Sequence, residues 1–520
     1  MRIVRSLFCV VAFSYPALVH ASPVQVDSGK ISGIALDADS GLQVYRGIPY
    51  AKPPIGDLRW RPPHAVESWK GVRTCDTFGP ASIQKTGRNA TQEQSEDCLY
   101  LNVWTTKGGD ESAKLPVMVW IHGGGLNLSW GHKESYDGTA FAKNGVVLVS
   151  INYRLGALGF LAHPALSTES SRGVSGNYGF LDQIAALEWT RRNIAAFGGD
   201  PENVTIFGES AGGTSVAVLC SSPLAKGLFH KAIIQSPWMF GYIDELASPN
   251  IVKLKEPVSN TPSAEQLGLD WAEPKVKGSN ADALKALRSL SPSEILERVR
   301  YYRTRATIDG WVLPDHPAHV FAKGQQANVP VIIGTTRDEG AYFRNYVRFA
   351  QRAELEAKLE AFYGRSVKKV LAQYPGESQD ELKQAGIQFV TDAWFVHPAG
   401  QLLEGMQRVS SPAFQYDFAK PSSRNPRMGA PHAIELRYVF NTLNNADEFP
   451  ENQVLSDKVM KYWVRFAYYG DPNGPDLPRW PEYEGNRKPY LILDDSISTG
   501  FDLRREASDA LEGATQGIYN

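Results

Sequence analysis

Apolar residues recur along this chain in two rhythms. Short, nearly unbroken apolar runs stand at 115–121 (LPVMVWI), 146–151 (VVLVSI), 232–234 (AII) and 329–333 (VPVII). Runs this short and this rich in β-branched residues predict strands covered on both faces, as in a parallel sheet. Residues 99–105 (LYLNVWT) alternate like a half-buried strand, 41–51 (GLQVYRGIPYA) read as a strand entering a proline-rich loop, and 490–493 (YLIL) as a late edge strand. The second rhythm is helical. Residues 177–197 (NYGFLDQIAALEWTRRNIAAF) form a long amphipathic pattern stopped by Gly198-Gly199, and 354–363 and 455–469 also read as helices. Strands alternating with helices predict an α/β fold: a large, mostly parallel twisted sheet with helices on both faces. From 241 to 305 the rhythm weakens, and pieces such as 281–290 (ADALKALRSL) alternate with polar turns. This stretch predicts a helical cap inserted above the sheet. No repeat or low-complexity linker divides the chain, so a single domain from 22 to 520 is expected.

Composition changes this picture little. A formal net charge of −2 over 520 residues offers no basic surface for nucleic acid, so specificity must come from a local site. The N-terminus adds more. Arg2 and Arg5 precede an apolar stretch, 7–19, too short to span a bilayer, and Val19-His20-Ala21 is an acceptable cleavage site. A signal peptide over 1–21 and a secreted or periplasmic protein are expected, with no stable membrane insertion after cleavage. Cys9 lies in that leader. Cys75 and Cys98 flank a polar loop and are candidates for a disulfide in an oxidising compartment, and Cys220 reads as a buried, unpaired thiol.

The chemistry centres on Gly208-Glu209-Ser210-Ala211-Gly212. Val204, Ile206 and Phe207 supply a strand before it, and 211–219 (AGGTSVAVL) a small-residue helix after it. In that context Gly-x-Ser-x-Gly is the pattern of a nucleophile elbow, which lifts the serine hydroxyl clear of the backbone. Without the context it would be an ordinary Gly-Ser turn. A nucleophilic serine further needs a base, an orienting carboxylate and donors for an oxyanion. His122-Gly123-Gly124-Gly125 follows the run ending at Ile121 and leaves its N–H groups unobstructed, and the N–H of Ala211 completes a donor set. His432, on the loop Gly429-Ala430-Pro431-His432-Ala433, is the candidate base. His316 and His319 form an HxxH pair on a proline-rich loop with no third ligand near, which reads as surface rather than metal site. Asp338 and Glu339 both follow the run ending at Ile333, and the residues alone do not choose between them.

These pieces carry a resemblance over nearly the whole chain. Tyr45-Arg46-Gly47-Ile48-Pro49-Tyr50-Ala51, Glu96-Asp97-Cys98-Leu99-Tyr100-Leu101-Asn102, the His122 glycine loop, Asn152-Tyr153-Arg154, Phe197-Gly198-Gly199-Asp200-Pro201 and the Ser210 motif together resemble the type-B carboxylesterase family, which includes cholinesterases and para-nitrobenzyl esterases. The resemblance implies an α/β-hydrolase fold and hydrolysis of small-molecule carboxylic esters through an acyl-enzyme at Ser210, without metal or organic cofactor. It implies Glu339 as the acid beside Ser210 and His432, and Gly124, Gly125 and Ala211 as oxyanion donors. It further implies a Cys75–Cys98 disulfide and ion pairs Arg154–Asp182 and Arg46–Glu96.

The departures from the family pattern concern specificity. The loop from 76 to 97 contains no tryptophan and only Phe78 as an aromatic, so it offers no strong cation–π platform for a choline ester. Pro237 stands where a small glycine is usual, and Trp238 and Phe240 either narrow an acyl pocket or belong to the cap core. Arg303 and Arg305 could meet an anionic substrate group, although a solvated loop is the plainer reading. Of three Asn-x-Ser/Thr sites, at Asn89, Asn127 and Asn203, a glycan at Asn127 would obstruct the glycine loop, which fits an exported bacterial enzyme. A lipase would want a long apolar lid, and none precedes the glycine loop. A non-catalytic binding or adhesion protein of this fold would have lost the serine, which is present here. A monomer or homodimer is expected.

Overall fold

The computed structural model describes residues 19–515 apart from 86–91, 243–244, 274–275, 277, 299–303, 348 and 444–449. Most of the expected leader, Asn89, Arg303 and the last five residues lie outside the described residues.

One sheet of eleven strands runs through the described chain. In chain order they are β1 (Ile34–Asp37), β2 (Leu42–Pro49), β3 (Tyr100–Thr105), β4 (Leu115–Ile121), β5 (Val147–Ile151), β6 (Gly199–Glu209), β7 (Lys231–Gln235), β8 (Val331–Thr336), β9 (Ala413–Phe418), β10 (Pro489–Leu493) and β11 (Ser498–Phe501). Across the sheet the order is β11-β10-β9-β8-β7-β6-β4-β5-β3-β2-β1. From β10 to β5 every neighbouring pair is parallel, and antiparallel strands flank this block on both sides.

The period-two geometry of a strand explains why the central runs are apolar throughout. Val117, Val119 and Ile121 of β4, Val204 and Ile206 of β6 and Val331 and Ile333 of β8 point into one core. There they meet Ile184 and Leu187 of helix α1 (Tyr178–Asn193) and Val216 and Leu219 of helix α2 (Ala211–Ser221). The alternate residues Met118, Trp120, Phe207, Ile233 and Ile332 enter a second core on the other face, against Val459, Trp463 and Phe466 of helix α3 (Pro450–Tyr469). The result is three layers, with the sheet in the middle.

Two strand expectations change. Strand β3 is buried at every residue but Tyr100, because Leu101 and Val103 face one core and Trp104 the other, while Asn102 is satisfied by the Gly47 N–H at 2.9 Å and Ser150 Oγ at 3.1 Å. The edge position belongs to β11 and not to β10, which is paired on both sides.

The insertion between β7 and β8 contains the helices Ala264–Ala272, Asn280–Ser289 and Pro292–Glu297. Reciprocal bonds of Ser279 with Asp282 and of Ser291 with Glu294 start the last two. It is not purely helical: Ile251–Lys253 pairs with Ala306–Ile308. Arg59 ties the insertion to the body, donating to the Leu290 carbonyl at 2.7 Å and to both oxygens of Glu96 at 2.6 and 2.5 Å. Glu96 therefore pairs with Arg59 and not with Arg46. The Arg46 guanidinium instead lies 4.6 Å above the Phe78 ring, where it meets a π face. Arg154 and Asp182 do form a buried two-pronged pair, at 2.8 and 2.7 Å.

The Cys75–Cys98 disulfide is absent: both thiols are free and buried. Cys75 accepts from the Arg46 N–H at 2.8 Å, whereas Leu99, beside Cys98, accepts from the Tyr50 N–H at 3.2 Å. Those two points lie on either side of Gly47, where φ is 66° and the register of β2 shifts. The hydroxyl that meets the Cys98 thiol is that of Ser82. Burial pushes the Cys75 thiol up to about 12 and raises that of Cys98 further. Alkylation in denaturant without reductant is expected to label Cys75, Cys98 and Cys220 completely, read by peptide mass spectrometry. A Cys75 or Cys98 peptide labelled only after reduction would contradict this arrangement.

Candidate active site

Strand β6 ends abruptly at Ser210, which has φ 59° and ψ −123°, and α2 begins at the next residue. A non-glycine residue held there stores on the order of 1–3 kcal/mol of strain. The surroundings allow no relaxation. A Cβ on Gly208 would stand 2.6 Å from the Gly212 carbonyl carbon, and one on Gly212 would stand 2.1 Å from the Ile121 oxygen. Both glycines are thus required for the helix to fold back over the strand. The Ser210 N–H donates to the Gln235 carbonyl at 3.0 Å, and the Ser210 carbonyl accepts from the Thr214 N–H at 2.9 Å, fixing the turn from both sides.

The structure brings Glu339 and His432 into contact. Glu339 opens a short helix, Glu339–Tyr342, three residues beyond β8. Its Oε1 accepts from the Thr336 N–H at 2.8 Å and from Ser236 Oγ at 2.6 Å, and its Oε2 lies 2.5 Å from His432 Nδ1. A carboxylate can only accept, so Nδ1 carries the proton and Nε2 is turned outward, the ring's accepting nitrogen when neutral. Asp338 does different work: its Oδ2 accepts from the Ala430 N–H at 2.9 Å and so pins the loop that carries His432. The choice the residues left open falls to Glu339 by position. Phe395 and Phe343 pack on the imidazole at centroid distances of 4.6 and 5.4 Å and keep it from water.

The glycine loop presses on the same turn. A Cβ on Gly123 would meet the Glu209 oxygen at 2.6 Å and Ser210 Cβ at 3.0 Å. Gly124 and Gly125 follow with φ 101° and 61°, and among the described residues their N–H groups have no acceptor. Ala211 is the first residue of α2, so its N–H has no partner within the helix. His122 stacks on Tyr153 at 4.5 Å and donates from Nδ1 to the Gly123 carbonyl at 2.9 Å. Burial pulls its pKa down to about 3, so the ring is neutral.

Two buried carboxylates beside the imidazole were not singled out from the sequence, although one lies inside the elbow motif. Glu209 Oε1 is 3.1 Å from His432 Nε2, yet makes no hydrogen bond among the described residues. Glu435, three residues beyond His432, accepts from Gln235 Nε2 at 3.0 Å. Burial pushes Glu209 up to about 7 and Glu435 up to about 8. For His432 burial acts to lower the pKa, but Glu209 and Glu339 outweigh it and push it up to about 9.

The remaining candidates fall in different places. The Trp238 indole lies against the glycine loop, 3.6 Å from where a Gly125 Cβ would be. Phe240 packs edge-on to Phe362 at 4.9 Å and lines, with Met239, Tyr363 and His397, a separate cavity of about 560 Å³ that neither Ser210 nor His432 borders. Arg305 is buried, with both terminal nitrogens 3.3 Å from Ser248 Oγ. His316 caps the helix Pro317–Ala322, and His319 faces Asp315 at 3.3 Å.

The electrostatics make a direct prediction. Removing the negative charge of Glu209 removes a contribution that holds His432 protonated. Glu209→Gln is therefore expected to lower the His432 pKa by about one unit or more, followed by NMR titration of the imidazole. An unchanged or raised value would contradict this reading.

Comparison with known proteins bears on this geometry. The model of the carboxylesterase family matches residues 20–510. A fumonisin B1 esterase of Sphingopyxis macrogoltabida is 34% identical over 96% of this chain and 94% of its own. A para-nitrobenzyl esterase of Bacillus subtilis (strain 168) is 35% identical over 94% of this chain and 98% of its own. A solved PNB esterase superimposes with a TM-score of 0.79 at 33% identity, covering 94% of this chain and 99% of that one. With the sheet and the elbow at Ser210 already in place, these likenesses settle the fold as that of the α/β-hydrolases and the class of reaction as hydrolysis of carboxylic esters: the chain belongs to the carboxylesterase family.

Proposed function

We propose that this protein is an exported serine esterase that cleaves small carboxylic esters through an acyl-enzyme at Ser210. The observation that carries the reading is the 2.5 Å contact between Glu339 and His432 Nδ1, which turns Nε2 toward Glu209, the residue that precedes the strained Ser210 turn. His432 takes the Ser210 proton as the hydroxyl attacks the ester carbonyl, and Glu339 holds the tautomer and stabilises the imidazolium. The N–H groups of Gly124, Gly125 and Ala211 receive the oxyanion. His432 returns the proton to the departing alcohol. Water then attacks the acyl-enzyme with His432 again as base, and the acid leaves. Since His432 acts as base only when neutral, the carboxylates that raise its pKa shift activity toward higher pH. Export rests on the N-terminal pattern around Arg2, Arg5 and Val19-His20-Ala21.

Trp238 supports a preference for short acyl groups, because its ring stands against Gly125, one of the glycines assigned to the oxyanion, and narrows the space beside it. Two experiments test these assignments. Ser210→Ala is expected to fold with an unchanged circular-dichroism spectrum and to lose hydrolysis of p-nitrophenyl acetate and organophosphate labelling. Substantial turnover by that variant would remove Ser210 from the mechanism. Trp238→Ala is expected to raise the ratio of kcat/KM for hexanoyl over acetyl esters by about tenfold or more, given about 0.8 kcal/mol per buried methylene; an unaltered ratio would place Trp238 in the cap core alone.

A further inference from the structure

The carbonyls of the glycine loop are all claimed by the protein, and one side chain organises the part that matters most. The Gly123 carbonyl accepts from His122 Nδ1 at 2.9 Å, and the Leu126 carbonyl accepts from the Gly156 N–H at 2.7 Å. Between them stands Asn127. Its backbone N–H donates to the Gly124 carbonyl at 3.1 Å, alongside that of Leu128 at 3.0 Å. Its side-chain Nδ2 donates to the Gly125 carbonyl at 2.7 Å, and its Oδ1 accepts from the hydroxyl of Thr304 at 2.6 Å. Thr304 is buried and belongs to the inserted cap, more than 170 residues away along the chain.

A trans peptide points its C=O and N–H in opposite directions. Holding the Gly124 carbonyl back therefore aims the Gly125 N–H forward, and holding the Gly125 carbonyl fixes the other torsion of the same glycine. Both restraints are needed because Gly125, at φ 61°, has no side chain to define its conformation. The orientation of the Asn127 amide is set by its partners: reversed, it would place Oδ1 against the Gly125 carbonyl, oxygen against oxygen.

We propose that Asn127 is the positioning residue of the oxyanion donors, clamping Gly125 in place and coupling it through Thr304 to the cap. The proposal rests on the catalytic reading of Ser210 and the glycine loop given above. Asn127 touches no reacting atom. It acts through Gly125, so its loss degrades binding of the transition state and not of the ground-state ester.

The test uses four variants of the full chain: Asn127→Ala, Asn127→Asp, Thr304→Val and Thr304→Ser. Complete loss of one oxyanion donor lowers kcat by about 10²–10³-fold, so a donor left in place but misaimed is expected to cost about 10–50-fold. Asn127→Ala should lower kcat by that factor with KM changed less than threefold, and should weaken a trifluoromethyl ketone inhibitor by the same factor as kcat/KM. Asn127→Asp should fall at least as far, because a carboxylate still accepts from Thr304 but repels the Gly125 carbonyl. Thr304→Val should show a smaller loss and Thr304→Ser almost none. Adding Thr304→Val to Asn127→Ala should cost little more, since the two act as one unit. Organophosphate labelling at one site per chain confirms that each variant is folded and that Ser210 is the nucleophile.

A kcat within twofold of the parent in Asn127→Ala, or a loss confined to KM or to thermal stability, overturns the positioning role. Wild-type protein that neither labels at Ser210 nor hydrolyses any ester overturns the underlying catalytic reading instead.

Discussion

The contact between Glu339 and His432 is the interaction on which the rest of the site depends. It is buried, short and held from several sides: the Thr336 N–H and the Ser236 hydroxyl occupy one carboxylate oxygen, and the imidazole the other. A buried carboxylate is costly unless its lone pairs are met. Here they are met by groups from three elements distant in sequence. β7 ends at Gln235 just before Ser236, β8 ends at Thr336, and the loop after β9 carries His432. The parallel order of β6, β7, β8 and β9 delivers all of these at the same edge of the sheet as the Ser210 turn. That edge is also where open α/β sheets place their ligand sites.

Around this contact the molecule accepts several local penalties. Ser210 sits at a φ that L-residues avoid, Ser236 does the same at φ 45°, and Glu209 and Glu435 are buried beside an already charged cluster. These costs are tolerated because the two cores on either side of the sheet are dense with large side chains. Trp120, Phe207, Trp463 and Trp480 are buried on one face, and Trp189, Phe197 and Trp394 on the other. A rigid sheet makes the strain useful: the turn cannot relax without unseating α2 from β6 or the glycine loop from the elbow.

Much of this organisation was legible beforehand, for a physical reason. The Gly-x-Ser-x-Gly spacing and the His122 glycine loop are local: the backbone conformations they require are written in neighbouring residues. The same holds for the strands at 115–121 and 146–151, whose burial on both faces leaves little room for polar residues, the one in them, Ser150, being met by the Asn102 amide. Less legible were Phe343 and Phe395, which cover His432 from segments without any distinctive pattern, and Glu435, whose burial depends on Gln235 from another strand. Strand β3 read as half-buried because its residues alternate, and the polar Asn102 falls between Leu101 and Val103. In the fold its amide is satisfied internally.

What the amino-acid order determined by itself was therefore the set of short-range devices: the elbow, the glycine loop, the strand and helix rhythms, and the identity of the groups available for chemistry. What only the tertiary structure decided was which distant partners those groups meet. Glu339 and not Asp338 reaches His432; Glu96 meets Arg59 and not Arg46; Cys98 faces Ser82 and not Cys75; Trp238 turns to the glycine loop while Phe240 turns to Phe362. In each case side-chain chemistry alone left more than one partner open. The choice between them was made by strand order, register and the reach of a side chain across the sheet edge, quantities that no local pattern encodes.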